Sequence, residues 1–333
     1  MSLMRAEIDE SPAAAGRVLA NLPHIAAIAD RLRALDPPFV TLAARGSSSH
    51  AGTYLRVLIG RELGLTAAAT MPSLASIYHA PQRLRGALFI AISQSGRSPD
   101  LLASTEQARA AGALTLAIVN DAASPLAEMS ELVIDIAAGA ERSVAATKTV
   151  IATLVTALAL VRTWAGTPHG MAALPDRLAA APDWPQLAGT LATTPHIFTV
   201  GRGPALGIAK EAALKLAETC GIAGLAYSAA ELAHGPMALA GQGFPVLAFL
   251  QDDAARPHSE TLLASLAARP TPVFAAGGTI PGATALPTLP PTDADADLLP
   301  MLVSTYRAIE QAARARGLDP DHPRSLQKVT RTL

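Results

Sequence analysis

Several kinds of chemistry are missing from this chain at the outset. It has one cysteine, Cys220, so neither a disulfide framework nor a multi-cysteine zinc site can be built. In its Ala/Leu-rich stretch, Cys220 reads as a small core residue. Aromatic residues make up 4% of the chain, too few for the stacking platforms that hold single-stranded nucleic acid. Charged residues are sparse at 16% and balance to a net charge of -1, which leaves no field to steer nucleic acid or an anionic membrane. There is no Walker loop and no G-x-G-x-x-G fingerprint, so nucleotide binding is disfavoured. No metal-ligand spacing occurs either. The longest apolar run, Val150 to Val161 between Lys148 and Arg162, is too short to span a bilayer. The start, Met1 to Arg5, lacks an apolar signal region, and the expected location is cytoplasmic.

What is present is a large apolar fraction. Half of the 333 residues are hydrophobic, enough for two domains with substantial cores. Residues up to Leu35 read as helical, with Asp36-Pro37-Pro38 as the stop. Apolar runs at Phe39–Ala43, Ala87–Ile92, Leu114–Val119 and Leu132–Ile136 read as strands separated by helical stretches. A long helix is expected from Val144 to Trp164. Such alternation predicts βαβ units and a mainly parallel sheet. Pro168, Pro175, Pro182 and Pro185 then break the pattern, and 167–185 reads as a linker. The second half repeats the order: a strand at His196–Val200, a turn Gly201-Arg202-Gly203 aligned with Ala44-Arg45-Gly46, and a strand at Pro245–Leu250. The halves look like a tandem duplication. The Pro/Thr/Gly-rich stretch 270–293 reads as surface loop and edge strand, and Leu298–Arg316 as a final helix.

The most suggestive stretch is Ser93-Gln94-Ser95-Gly96-Arg97-Ser98, between a buried strand and Pro99, which suits the first turn of a helix. A strand-to-helix turn aims backbone N–H groups and a helix dipole at one point, which suits a phosphate. A turn that merely caps the next helix is the plainer alternative. In the second half, Lys210, Glu211, Lys215 and Glu218 share a helix face; taken alone they read as a solvated stripe of ion pairs. His234 precedes a Gly-Pro break, where a structural role is the default. The tail carries Pro323-Arg324-Ser325-Leu326 with Lys328, where a frayed end is expected.

In combination these motifs carry more. Ser47-Ser48, Ser93-Gln94-Ser95-Gly96, Glu141 to Lys148, Leu214-Lys215 with Glu218, Glu231-Leu232-Ala233-His234-Gly235-Pro236 and Pro323-Arg324-Ser325-Leu326 with Lys328 occur in that order. The chain thereby resembles the double-SIS-domain sugar isomerases, in particular the isomerase half of glucosamine-6-phosphate synthase and the stand-alone SIS-type deaminases. The resemblance implies an α/β fold of two tandem SIS domains, each a mainly parallel sheet flanked by helices in a flavodoxin-like sandwich. They would span 25–166 and 186–318, after a helical segment 1–24 and before a tail 319–333 that closes the site. It further implies that Ser47, Ser48, Ser93, Gln94, Ser95 and Ser98 hold a phosphate, and that Glu141 and Val144 line the sugar site. Glu218 would be the base that moves a proton between C1 and C2, with Lys215 near the oxygens there. His234, supplied from a neighbouring subunit of a homodimer, would assist ring opening, and Lys328 would close over the substrate. No cofactor and no metal are implied.

The resemblance has gaps. The motifs cover the isomerase half and not the glutaminase half, so the expectation is the sugar step alone, with free ammonia. Arg97-Ser98 stands where the synthases carry an acid and a threonine, and Ala146 where they carry serine. The leading expectation is deamination of glucosamine 6-phosphate to fructose 6-phosphate. Aldose–ketose isomerisation and deglycation of a fructosamine 6-phosphate are alternatives, and a non-catalytic sugar-phosphate sensor is one of another class. Small-molecule sugar phosphates are the expected partners, not nucleic acid or membrane.

Overall fold

A computed structural model describes every residue except Gln242, Ser325 and residues 329–333. The chain divides into two compact units. One comprises Ala13–Glu141, Lys148–Ala172 and the tail from Gln327; the other comprises Met1–Pro12, Arg142–Thr147 and Ala173–Leu326.

The first unit is built on five parallel strands: β1 Val40–Ala44, β2 Ala67–Ala69, β3 Leu88–Ser93, β4 Leu114–Val119 and β5 Leu132–Asp135. Their order in the sheet is β2-β1-β3-β4-β5. Parallel strands are covered on both faces, so a central one is apolar throughout. Leu88, Phe89, Ile90 and Ile92 of β3 are each no more than 2% exposed; burying such a side chain stabilises by about 1.5–3 kcal/mol. Phe89 and Ala91 pack in one cluster with Leu101 and Ala108 of the helix Pro99–Ala110.

The longest helices of this unit are Gly46–Leu63 and Lys148–Ala165. The second begins four residues later than the sequence suggests, because the Glu141 carboxylate accepts from the Thr149 N–H and hydroxyl and caps the helix there. By length and composition Lys148–Ala165 could cross a membrane, but 89% of it is buried inside the protein. It is a core helix.

The second unit repeats the plan with β6 His196–Gly201, β7 Ala223–Ser228, β8 Val246–Phe249, β9 Val273–Ala276 and β10 Thr284–Leu286. The order is β10-β9-β8-β6-β7, again wholly parallel. Read from β7, this is the strand order of the first sheet. Stretch 270–293, expected as surface loop and edge strand, supplies β10 at the sheet edge but also β9 as an internal strand, with Val273, Phe274, Ala275 and Ala276 all buried. The region expected to be a linker carries a helix, Leu174–Ala179, whose Leu174 and Leu178 are buried. Prolines there start helices: Pro175 and Pro185 both occupy first-turn positions, where a missing N–H costs nothing.

Candidate functional site

In sheets of this order, ligands bind where neighbouring strands send their following helices to opposite faces, at the carboxyl ends of the strands. In the first unit that point lies between β1 and β3. The chain leaves β1 through Arg45 into the helix Gly46–Leu63, which carries Ser47 and Ser48 in its first turn. It leaves β3 through Gln94–Ser98 into the helix Pro99–Ala110. Two helix N-termini therefore flank one cleft of about 300 Å³. Its lining includes Ser48, Ser93, Gln94, Ser95 and Ser98, together with Arg45 and Lys328.

The loop is held in shape from within. The Gly96 N–H donates to Ser93 Oγ at 3.1 Å, and the Arg97 N–H to Ser95 Oγ at 3.4 Å. From outside, the Asn120 N–H bonds the Gln94 carbonyl at 3.2 Å and the Leu126 N–H bonds the Gly96 carbonyl at 3.1 Å. Gly96 has φ +61°, and a Cβ there would lie 2.1 Å from Ser124 Oγ. No other residue fits. Ser98 makes no side-chain capping bond to the helix it precedes, which weighs against the reading of this turn as a mere cap.

Lys328, which lines this cleft, is paired with the buried Glu141. Lys328 Nζ donates to Glu141 Oε2 at 3.2 Å, and the Glu141 side chain is wholly buried. With both Glu141 oxygens also serving Thr149, this carboxylate anchors a helix start and a lysine. Ser47 stands beside the cleft without being among its lining residues.

The second unit holds the other group of candidates. The helix Ala205–Lys215 runs on through a π turn, Leu216–Cys220, to Gly221 at φ +62°. Such turns are rare and often mark functional sites. Lys215 is 1% exposed and pairs with Glu218, which is 22% exposed. Its Nζ also lies 3.5 Å from the buried Glu211, which accepts from the Tyr306 hydroxyl at 3.0 Å. Of the stripe expected to be solvated, Lys215 is thus a buried cation between two carboxylates, while Lys210 stays half-buried. The helix-face geometry holds, but the helix Leu298–Ala315, carrying Tyr306, covers that face. Breaking one partner out of a buried pair costs about 3–5 kcal/mol, well beyond what a surface pair contributes.

Glu218 opens onto a cleft of about 590 Å³ whose lining also includes Arg316, Asp319, His322 and Arg324. The Asp319 carboxyl is held below the usual carboxylate range by the Asp321 backbone N–H and then by His322. Cys220 lies on the same π turn, but burial pushes its thiol up to about 11, so it is protonated and inert at neutral pH. Val144 is half-buried in a loop, its N–H bonded to the Asp321 carbonyl at 3.3 Å. His234 is exposed at the end of the short helix Ala229–Ala233 and is not among the residues lining the Glu218 cleft. Ser325 lies outside the described residues. Among the described residues, no cluster of His, Cys, Asp and Glu is placed to hold a metal ion.

Two five-stranded parallel sheets in one chain, the first with a serine cleft at its switch point, agree with what family comparison finds. The model of the SIS domain matches residues 39–162 and 190–275. The chain belongs to the SIS-domain family. It is 33% identical, over 98% of its length, to the glutamine–fructose-6-phosphate aminotransferase (isomerizing) of Symbiobacterium thermophilum. It spans 58% of that relative's length. Among solved structures, a chain from Silicibacter pomeroyi, provisionally named a phosphosugar isomerase, matches at 44% identity with a TM-score of 0.92, covering 96% of this chain and all of that one. A glucosamine-6-phosphate deaminase from Thermotoga maritima shares the fold at a TM-score of 0.80 and 20% identity, covering 99% of this chain and 100% of that one.

Charged residues of this SIS protein's clefts that carry no role in the sequence reading include Arg45, Arg316, Asp319 and His322. Arg45 sits one residue before the serines already singled out, so adjacency was the available signal. Arg316 and His322 flank a turn after the last helix and gave none.

Proposed function

We propose that this protein is a sugar-phosphate enzyme that moves a proton between C1 and C2 of an amino sugar 6-phosphate, converting glucosamine 6-phosphate to fructose 6-phosphate and ammonia. The observation that carries the reading is the Lys215–Glu218 pair: a buried ammonium against a carboxylate that lines an open cleft. A sensor needs an anion-binding loop but has no use for such a pair.

In this reading Ser48, Ser93, Gln94, Ser95 and Ser98, with Ser47 beside them, hold the phosphate. That group is remote from the reacting carbons and supplies binding energy that fixes them in place. Glu218 takes the C2 proton of the ring-opened aldose. The proton is acidic because the neighbouring carbonyl accepts the electron pair, and Lys215 offsets the negative charge that develops on oxygen. Protonation at C1 of the resulting enol-amine gives a ketose imine. Water adds to that imine and ammonia leaves.

His234 opens the ring in this scheme, as an imidazole can give and take a proton near neutral pH. Its exposed position suits supply to a second copy in a homodimer. Glu141 and Val144 border the sugar, and Lys328 closes over it. The two SIS domains are assigned to 25–166 and 186–318. Aldose–ketose isomerisation without nitrogen would use the same residues and the same proton transfer.

The test is incubation with glucosamine 6-phosphate while ammonia and fructose 6-phosphate are followed together. Both should appear in equal amounts, and Glu218→Gln should lower the rate by about 10²–10⁴-fold while leaving stabilisation by fructose 6-phosphate intact. Ligand stabilisation without turnover of any phosphosugar would overturn the enzymatic reading.

A further inference from the structure

Arg45 precedes the helix Gly46–Leu63 but does not cap it through its side chain. Its Nε instead donates to Asp100 Oδ2 at 2.7 Å. Asp100 lies in the first turn of the helix Pro99–Ala110 and its side chain is wholly buried, while Arg45 is 47% exposed and lines the serine cleft. The second Asp100 oxygen accepts the Leu101 N–H at 2.9 Å. One ion pair therefore ties together the starts of the two helices that flank the cleft.

A buried carboxylate directly behind an anion-binding loop opposes the anion. Arg45 cancels that charge, and the Asp100 bond engages Nε alone of its five-donor fork. The neighbouring Arg97 behaves differently: it pairs with Asp121 at 3.1 Å and is not among the residues lining the cleft. Lys328, the other cation of the cleft, is already paired with Glu141.

We propose that Arg45 determines the specificity of the cleft for a phosphate dianion: Asp100 holds it through Nε, and its terminal nitrogens engage two phosphate oxygens side by side. This rests on the sugar-phosphate reading of the cleft. A planar fork suits paired oxygens and a point charge does not. The site should therefore separate a phosphate ester from a sulfate ester of the same sugar, which carries one charge fewer.

The test uses the full chain and calorimetric titration with fructose 6-phosphate and fructose 6-sulfate. Arg45→Met alone takes the guanidinium away from the buried Asp100 carboxylate and endangers folding, so the informative variant is Arg45→Met with Asp100→Asn, which removes both charges. It should keep the melting temperature of the unliganded protein within a few degrees but bind fructose 6-phosphate about 10- to 100-fold more weakly, with the preference over the sulfate lost. Arg45→Lys should fall between the two. If the wild-type protein binds the phosphate ester and the double variant binds it equally well, Arg45 is a strut between helices and the inference fails while the sugar-phosphate reading stands. If the wild-type protein binds neither ester, both fall together.

Discussion

The two sheets of this molecule share one strand order and differ at the switch point. Beyond β1 and β3 the chain leaves an open cleft lined with hydroxyls. Beyond β6 and β8, the equivalent point is filled by the protein itself. There the Gln251 side-chain carbonyl accepts the Ala205 N–H at 3.1 Å, taking the helix N-terminus that a ligand would need. Arg256 reaches the Gly277 carbonyl at 3.0 Å, and a Cβ on Gly277 would lie 2.0 Å from the Leu250 carbonyl. The topology makes a ligand site available; the loop residues decide whether it stays open. In one sheet a cleft lined with hydroxyls stays open, and in the other a glutamine side chain takes up a helix-start N–H.

The comparison can be broken most forcefully at Gly96. Gly96→Ala combines a left-handed backbone with a clash against Ser124. It should cost about 3 kcal/mol or more and abolish stabilisation by fructose 6-phosphate, as thermal melts with and without ligand would report. Ser93→Ala is gentler. It strands the Gly96 N–H, with an expected loss of about 1–3 kcal/mol in stability and weaker binding of the same ligand. Gln251→Ala is its counterpart in the closed sheet. It should cost about 1–2 kcal/mol through the orphaned Ala205 N–H and leave fructose 6-phosphate affinity unchanged; a fall as large as that of Ser93→Ala would erase the distinction between the sheets. The smallest effect is expected at Cys220. With its thiol raised to about 11 by burial, iodoacetamide at pH 8 should leave the native protein unmodified and alkylate it after unfolding, as intact mass would show.

How much of this was legible in the sequence follows from how local each signal is. β1, β3, β4, β6 and β8 are apolar runs, since a strand covered on both faces must be, and they read correctly. β2 is three alanines and half exposed, and β7 mixes glycine, tyrosine and serine on a partly exposed edge. Neither has a run or an alternation to read. The serine cleft was legible because both of its loops follow strong strands. The burial of Lys215 and Glu211 was not, because it depends on a helix starting some eighty residues later. The helix at Lys148 was set too early for a related reason: its true start is fixed by a carboxylate seven residues upstream, which the pattern of apolar residues does not register.

The π turn at Leu216–Cys220 has a consequence for how such a protein can change over generations. A π turn accommodates an extra residue within a helix, so the pairing of Lys215 with Glu218 is set by chain length as well as by residue identity. Deleting Ala217 would bring the glutamate to two positions after Lys215, a spacing at which helical side chains do not face each other. An in-frame loss of one codon would then uncouple the pair while every charged residue survived in the sequence. Related chains that differ here by an insertion or deletion should be sorted by that gap before their residues are compared.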